Sequence, residues 1–307
     1  MREKIAISTM WVKGRFERMR DFVRWAWERG FEAVEMNSIL DPQKALEFEE
    51  IKAEGSPLLI TSLHAPCPNP EIGGKKASDL SLSALDKFER REAVKHVLST
   101  LELASRLGAK AVVLHLGRVP ADEGLERKLE RLYEEGKKGE EEFEEAKREL
   151  VEARRLLSPP YLESARRSLE ELLEFAEKLR MPVGLETRRY FLEIPGFEEM
   201  REILEEFPRD LVGYWHDVGH AEAQARLGFV DHRRWLEEFK DRMMGCHLHD
   251  IIGLSDHRPP GKGELNWDLI ARSLPSGIIK VCEIGEWNPE EDVRGVISFL
   301  EAKGIRR

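Results

Sequence analysis

The stretch Leu107-Gly108-Ala109-Lys110-Ala111-Val112-Val113-Leu114-His115 sets the reading of the whole chain. A glycine of the kind that stops a helix is followed by a short apolar run, and the run ends on a histidine. The same grammar recurs from one end of the sequence to the other. Strand candidates fall at residues 5–9, 32–37, 58–63, 109–115, 183–186, 211–216, 243–248 and 278–283, which makes eight. Arg29-Gly30-Phe31 and Arg180-Met181-Pro182 punctuate two more of them. Helical stripes lie between: Phe16, Met19, Phe22, Val23 and Ala26; Val94, Val97, Leu98, Leu101 and Ala104; Ala165, Leu169, Leu172, Leu173, Ala176 and Leu179. Strand-helix alternation repeated eight times predicts an α/β fold, a single (β/α)8 TIM barrel spanning 1–307. A doubly wound open sheet would compete, but no GxGxxG follows the first strand.

Two gaps are longer than the rest. Residues 64–84 are rich in Pro, Gly and Ser and read as a loop. Residues 118–160 read as a charged helical insertion between the fourth and fifth strands. Of the 37 residues from Ala121 to Leu157, 22 are charged, yet Leu125, Leu129, Leu132, Phe143, Ala146, Leu150 and Ala153 keep a helical spacing. That pattern predicts an exposed helical hairpin, a solvated face with an oligomer or partner contact as the alternative.

Composition narrows the function classes. There are 49 Lys+Arg against 59 Asp+Glu, a formal net charge of −10, and 41% hydrophobic residues. With a mean hydropathy of −0.48, and no uncharged apolar run of about 18 residues, a membrane role is excluded. Met1-Arg2-Glu3-Lys4-Ile5 leads straight into a strand, and Cys67, Cys246 and Cys282 form no CxxC pair, so a cytoplasmic location is expected. Two Gln and four Asn beside abundant Glu, Arg and Lys hint at a thermophilic source. The net negative charge argues against a general nucleic-acid binder.

What occupies the strand ends points to the chemistry. Carboxyl ends of barrel strands face the catalytic mouth. Here those ends carry Glu35, His64, His115, Glu186, Asp217 with His220, His247 with His249 and Asp250, and Glu283; His257 follows in the seventh loop. Seven of the nine histidines belong to this set or to its sixth strand, where His216 could face either way; His96 and His232 do not. Converging carboxylates and imidazoles without compensating lysines are costly when desolvated. A divalent cation resolves that cost, and mixed N and O ligands suit Mn²⁺, Zn²⁺ or Co²⁺.

These residues also carry a resemblance. Ser62-Leu63-His64-Ala65-Pro66, Leu114-His115-Leu116-Gly117, Gly184-Leu185-Glu186-Thr187, Trp215-His216-Asp217-Val218-Gly219-His220, His247-Leu248-His249-Asp250 and Pro260-Gly261-Lys262-Gly263-Glu264-Leu265-Asn266-Trp267 resemble the xylose isomerase-like TIM-barrel superfamily. It holds sugar and sugar-phosphate isomerases and epimerases, inosose-type dehydratases and the endonuclease IV family. The resemblance implies one divalent metal held by Glu186, Asp217, His247 and Glu283, with Glu186 and Glu283 also moving protons. The endonuclease relatives add positions matched by His64, His115, His220 and His257, for up to three ions. In their pattern an Asp stands two residues before the last His; here Ser255 holds that place and Asp256 follows one residue late.

The expected activity is therefore isomerisation or epimerisation of a sugar, sugar phosphate or cyclitol through an enediolate, the metal acting as Lewis acid. Glu35, Arg188 and Lys262 are the expected substrate contacts, with His220 beside them. The expected partner is a small carbohydrate, with homo-oligomer formation open and no membrane partner. An abasic-site phosphodiesterase, a non-catalytic metal- and sugar-binding barrel and a dehydratase or lyase are the alternatives. Against the nuclease stand a pI of about 5.6 and only scattered basic residues in the loops.

Overall fold

The computed structural model describes residues 4–56 and 59–306. Leu58, the first residue of the expected third strand, lies outside them. Eight parallel strands close a barrel in sequence order: β1 (Ile5–Ser8), β2 (Ala33–Met36), β3 (Leu59–His64), β4 (Ala111–Leu114), β5 (Val183–Glu186), β6 (Val212–Asp217), β7 (Met243–Leu248) and β8 (Ile279–Cys282). Strand β8 pairs back onto β1, with Ala6 opposite Val281. Among the described residues no helix is long and apolar enough to cross a membrane.

Period-two alternation decides what fills the barrel. Ala6, Ala33, Ala111, Val113, Trp215 and Val281 form a compact inner cluster, separate from the larger core under the helices. Trp215 needs room, and glycines give it: a Cβ on Gly245 would sit 2.3 Å from its ring, and one on Gly184 2.8 Å away. One layer higher, the same inward faces carry the polar set. His247 stands over Trp215, ring centroids 5.3 Å apart.

The helices follow their stripes. Met19, Phe22, Val23 and Ala26 are buried along α1 (Met19–Glu28). α2 (Pro42–Ala53) follows β2. α3 (Lys87–Leu107) stops at Gly108, whose φ of +68° is a left-handed conformation that glycine adopts without a Cβ penalty. Within 64–84, the expected loop, Glu71–Ile72 and Lys75–Lys76 pair as a short hairpin.

The segment after β4 differs from the expected exposed hairpin. α4 (Glu123–Glu134) is followed by α5 (Glu141–Leu179), a 39-residue helix that runs through Pro159 and Pro160. The inserted arm and the expected barrel helix are thus one element. Its apolar stripe continues from Phe143, Ala146 and Leu150 to Ala165, Leu169 and Leu172, all buried. The prolines remove two helical N–H donors beside Leu156 and Leu157, which are 62% and 41% exposed, so water can satisfy the freed carbonyls. The insertion also grips the loop after β5. Glu126 accepts from Leu192 N at 2.9 Å, and Arg154 Nη1 donates to the Phe191 carbonyl at 2.6 Å.

Candidate metal centre and cleft

Glu186 ends β5, Asp217 ends β6, His247 lies in β7 and Glu283 follows β8 directly. All four face inward and are buried, and each offers a ligand atom within 4.8 Å of the others. His247 Nδ1 lies 2.7 Å from Glu186 Oε1, 3.3 Å from Glu283 Oε2 and 3.6 Å from Asp217 Oδ2. Its other nitrogen, Nε2, is 3.1 Å from Glu35 Oε1, and Glu35 also accepts from Ser62 Oγ at 2.7 Å. Asn37 Nδ2 donates to Glu283 Oε1 at 2.9 Å. Asp217 is the N-cap of α6 (Val218–Arg226), accepting from His220 N at 2.7 Å. That bond fixes its carboxylate before any ligand arrives.

The donor set fits a divalent ion. Three carboxylates surround one imidazole with almost no solvent, and of these three Arg188 meets only Glu186, at 3.1 Å. Burial opposes the charge on Glu186, but hydrogen bonds with His115 and His247 help hold its carboxyl well below the usual range. Asp217 is held low in the same way, with His220 and His249 opposing the cost of burial. Burial and then Arg188 push His115 down to about 3, so its ring is neutral at ordinary pH. A neutral imidazole is the form that ligates metal.

Two further groups flank the first. His64, His115 and Glu186 make one, with His64 Nε2 3.2 Å from Glu186 Oε2 and His115 Nε2 in close contact with the same oxygen. His220, His249 and His257 make the other. His249 Nε2 lies 2.9 Å from Asp217 Oδ1, and its Nδ1 accepts the His257 backbone N–H at 2.9 Å, which puts the ring proton on Nε2. Asp256 stands at the edge of this corner, its Oδ2 3.8 Å from His220 Nε2.

The groups open into a cleft of about 440 Å³, within the usual span of small-molecule pockets. His64, His115, Glu186, Arg188, His220, His257 and Glu283 line it. Glu35 does not; it sits behind His247. Lys262 lies outside, half-exposed and paired with Asp292 at 2.8 Å. Arg188 is buried rather than free on the rim, donating to Glu186 and, at 2.6 Å, to Glu193. Trp11 and Trp267 belong to the core, while Trp287 is 55% exposed beside His257. The three cysteines are buried and form no disulfide among the described residues, and burial pushes the Cys67 thiol up, so it is inert. Sequence reasoning passed over Asn37 and Glu193. Asn37 closes the expected second strand, a position that could have marked it; Glu193 sits in a two-residue strand paired with Gly117–Arg118, with no local sequence signal.

A family model described as xylose isomerase-like TIM barrel matches residues 23–303. Among solved structures, a D-tagatose 3-epimerase-like protein is similar at 20% identity and a TM-score of 0.64, over 99% of both chains. The E. coli 3-keto-D-glucoside 4-epimerase YcjR is 16% identical, with a TM-score of 0.65, over 97% of this chain and 99% of that one. The IOLI protein, solved with a bound zinc atom, is 14% identical with a TM-score of 0.68, over 99% and 97%. No curated protein matches the sequence.

Proposed function

We propose that this chain, which belongs to the xylose isomerase-like TIM-barrel family, is a divalent-metal-dependent isomerase or epimerase of an uncharged sugar or cyclitol. The observation that carries the reading is the convergence of Glu186, Asp217, His247 and Glu283 on one point at the floor of a cleft that Glu186 and Glu283 line. The epimerases among its structural neighbours and the zinc in one of them support it. When bound, the ion supplies a Lewis acid for a carbonyl oxygen and its neighbouring hydroxyl. Mn²⁺, Zn²⁺ and Co²⁺ all suit the donor set.

The proton is moved by this chain's own carboxylates. Glu186 is crowded by His64, His115, His247 and Arg188, all of which stabilise its charge. Glu283 has its Oε1 held by Asn37, while Oε2 faces His247 at 3.3 Å. Glu283 is therefore the better base for a proton on carbon, and Glu186 the second carrier on the other side of the ion. Glu35 orients His247 through Nε2.

The cations favour an uncharged substrate over a sugar phosphate. Arg188 bridges Glu186 and Glu193, and Arg189 bridges Glu130 and Asp256. The helices that begin after Asp41, Asp86, Asp122, Asp217 and Asp231 are each capped by that Asp's own side chain, so their N–H groups are not offered to a phosphate.

A second reading rests on the two flanking groups. Their histidines could hold further ions, and a multinuclear centre would favour phosphodiester hydrolysis at abasic sites. One experiment separates the two. Protein loaded with Mn²⁺ or Zn²⁺ is incubated in D₂O with free ketoses, aldoses and cyclitol ketones, and in parallel with an abasic oligonucleotide. Deuterium on the carbon beside the carbonyl is expected. Strand cleavage without carbon exchange on any sugar or cyclitol would replace the isomerase reading with the nuclease one.

A further inference from the structure

The corner formed by His220, His249 and His257 is charged differently from the main centre. His220 gives its Nδ1–H to the Thr187 carbonyl at 2.9 Å, and its Nε2 faces Asp256 Oδ2, 3.8 Å away. A carboxylate buried at such a corner requires a positive charge beside it. A transition-metal ion about 2.0–2.2 Å from each atom would be one solution. The structure contains another. Arg189 Nε lies 3.1 Å from the same Asp256 oxygen.

Arg189 is fastened from behind. Nη1 donates to Glu130 Oε1 at 2.8 Å, and Nη2 donates to the Leu254 carbonyl at 2.9 Å. Glu130 belongs to α4, inside the insertion after β4. Tyr190 stacks against the guanidinium, 4.3 Å from ring centroid to Cζ. The guanidinium is thus fixed on three sides, with Asp256 beside it as an ion-pair partner rather than a hydrogen-bond acceptor.

We propose that Arg189 is the resident counter-cation of Asp256, taking the role of an ion at the His220–His257 corner, and that the insertion holds it there through Glu130. This rests on the reading of the neighbouring carboxylates as a metal centre. The insertion thereby limits how many ions the cleft takes. An arginine cannot be displaced by dilution or chelation, so this corner stays positively compensated when the main site is emptied.

The test counts ions. Chelator-treated protein is titrated with Co²⁺, read by visible absorption and by elemental analysis after desalting, with the melting temperature as a fold control. Compared are the wild type, Arg189→Ala, Arg189→Gln, Arg189→Lys and the double variant Arg189→Ala with Asp256→Asn. Arg189→Ala and Arg189→Gln are expected to take one more Co²⁺ per chain than the wild type. Arg189→Lys, which keeps the charge, and the double variant, which lacks the carboxylate, are expected to lose that gain. Folded Ala and Gln variants that bind as many ions as the wild type would overturn the proposal, as would a gain that survives in the double variant. Wild type that takes no Co²⁺ would instead overturn the metal centre itself.

Discussion

Strand β6 has histidines and acids on both sides, and the two sides behave differently. Its outer face begins a closed hydrogen-bond chain. Thr187 Oγ1 meets Tyr214 Oη at 2.5 Å, Tyr214 Oη meets His216 Nδ1 at 2.7 Å, His216 Nε2 meets His232 Nε2 at 3.1 Å, and His232 Nδ1 meets Glu222 Oε2 at 3.0 Å. One proton serves each link, and the His216 ring is neutral. Burial, followed by His232, pushes His216 well below its ordinary pKa, in agreement with that. The inner face has Asp217 with Glu186, Glu283 and His247, where negative charge exceeds what the chain itself supplies. A polar cluster that satisfies itself is architecture; one that is left needing a cation is a candidate site.

That distinction can be broken by substitution, and the largest effect is expected on the inner face. Asp217→Ala or Glu283→Gln should lower turnover by roughly 10²–10⁴-fold, and Asp217→Ala should also lose the bound ion in elemental analysis. A next effect concerns Glu193, the partner of Arg188. Burial alone would raise its pKa, but Arg188 and His115 bring it down to about 2. A depressed folded-state value means stability that is present above the unfolded value of 4.5 and lost as the pH falls towards 2. Up to about 3 kcal/mol is involved, so in urea unfolding the wild type should lose about that much more stability than Glu193→Gln between those pH values.

On the outer face, His216→Ala should cost about 2 kcal/mol of stability by leaving Tyr214 Oη and His232 Nε2 each one partner short, with ion content unchanged. Loss of the ion in that variant would erase the distinction between the two faces. Smallest of all, Lys262→Ala should change turnover less than about twofold and stability by ~0.5 kcal/mol or less, since its ion pair with Asp292 is exposed and lies outside the cleft.

Most of the barrel was legible because period-two strands and glycine stops are local signals. The expected 183–186 and 243–248 match β5 and β7 to the residue, and the other strands shift by one or two at their ends. Strand-end geometry then brings Glu186, Asp217, His247 and Glu283 together. Partnership across loops was not legible. Arg188 was expected as a substrate contact, but Glu193 and Glu186 close on it, and Lys262 sat in a family-like motif yet turned toward Asp292. The fusion of the insertion with the barrel helix was hidden by Pro159-Pro160, which reads as a break but lies where the helix is open to water.

Deuterium exchange at the carbon beside a sugar carbonyl, measured by NMR for wild type and Glu283→Gln, decides whether these carboxylates move the proton. Each protein is loaded with Mn²⁺ and shown to hold equal metal. Exchange by the wild type that falls at least 100-fold in Glu283→Gln is the predicted result. Undiminished exchange in the variant, with its metal in place, would contradict the assignment of proton transfer to this carboxylate.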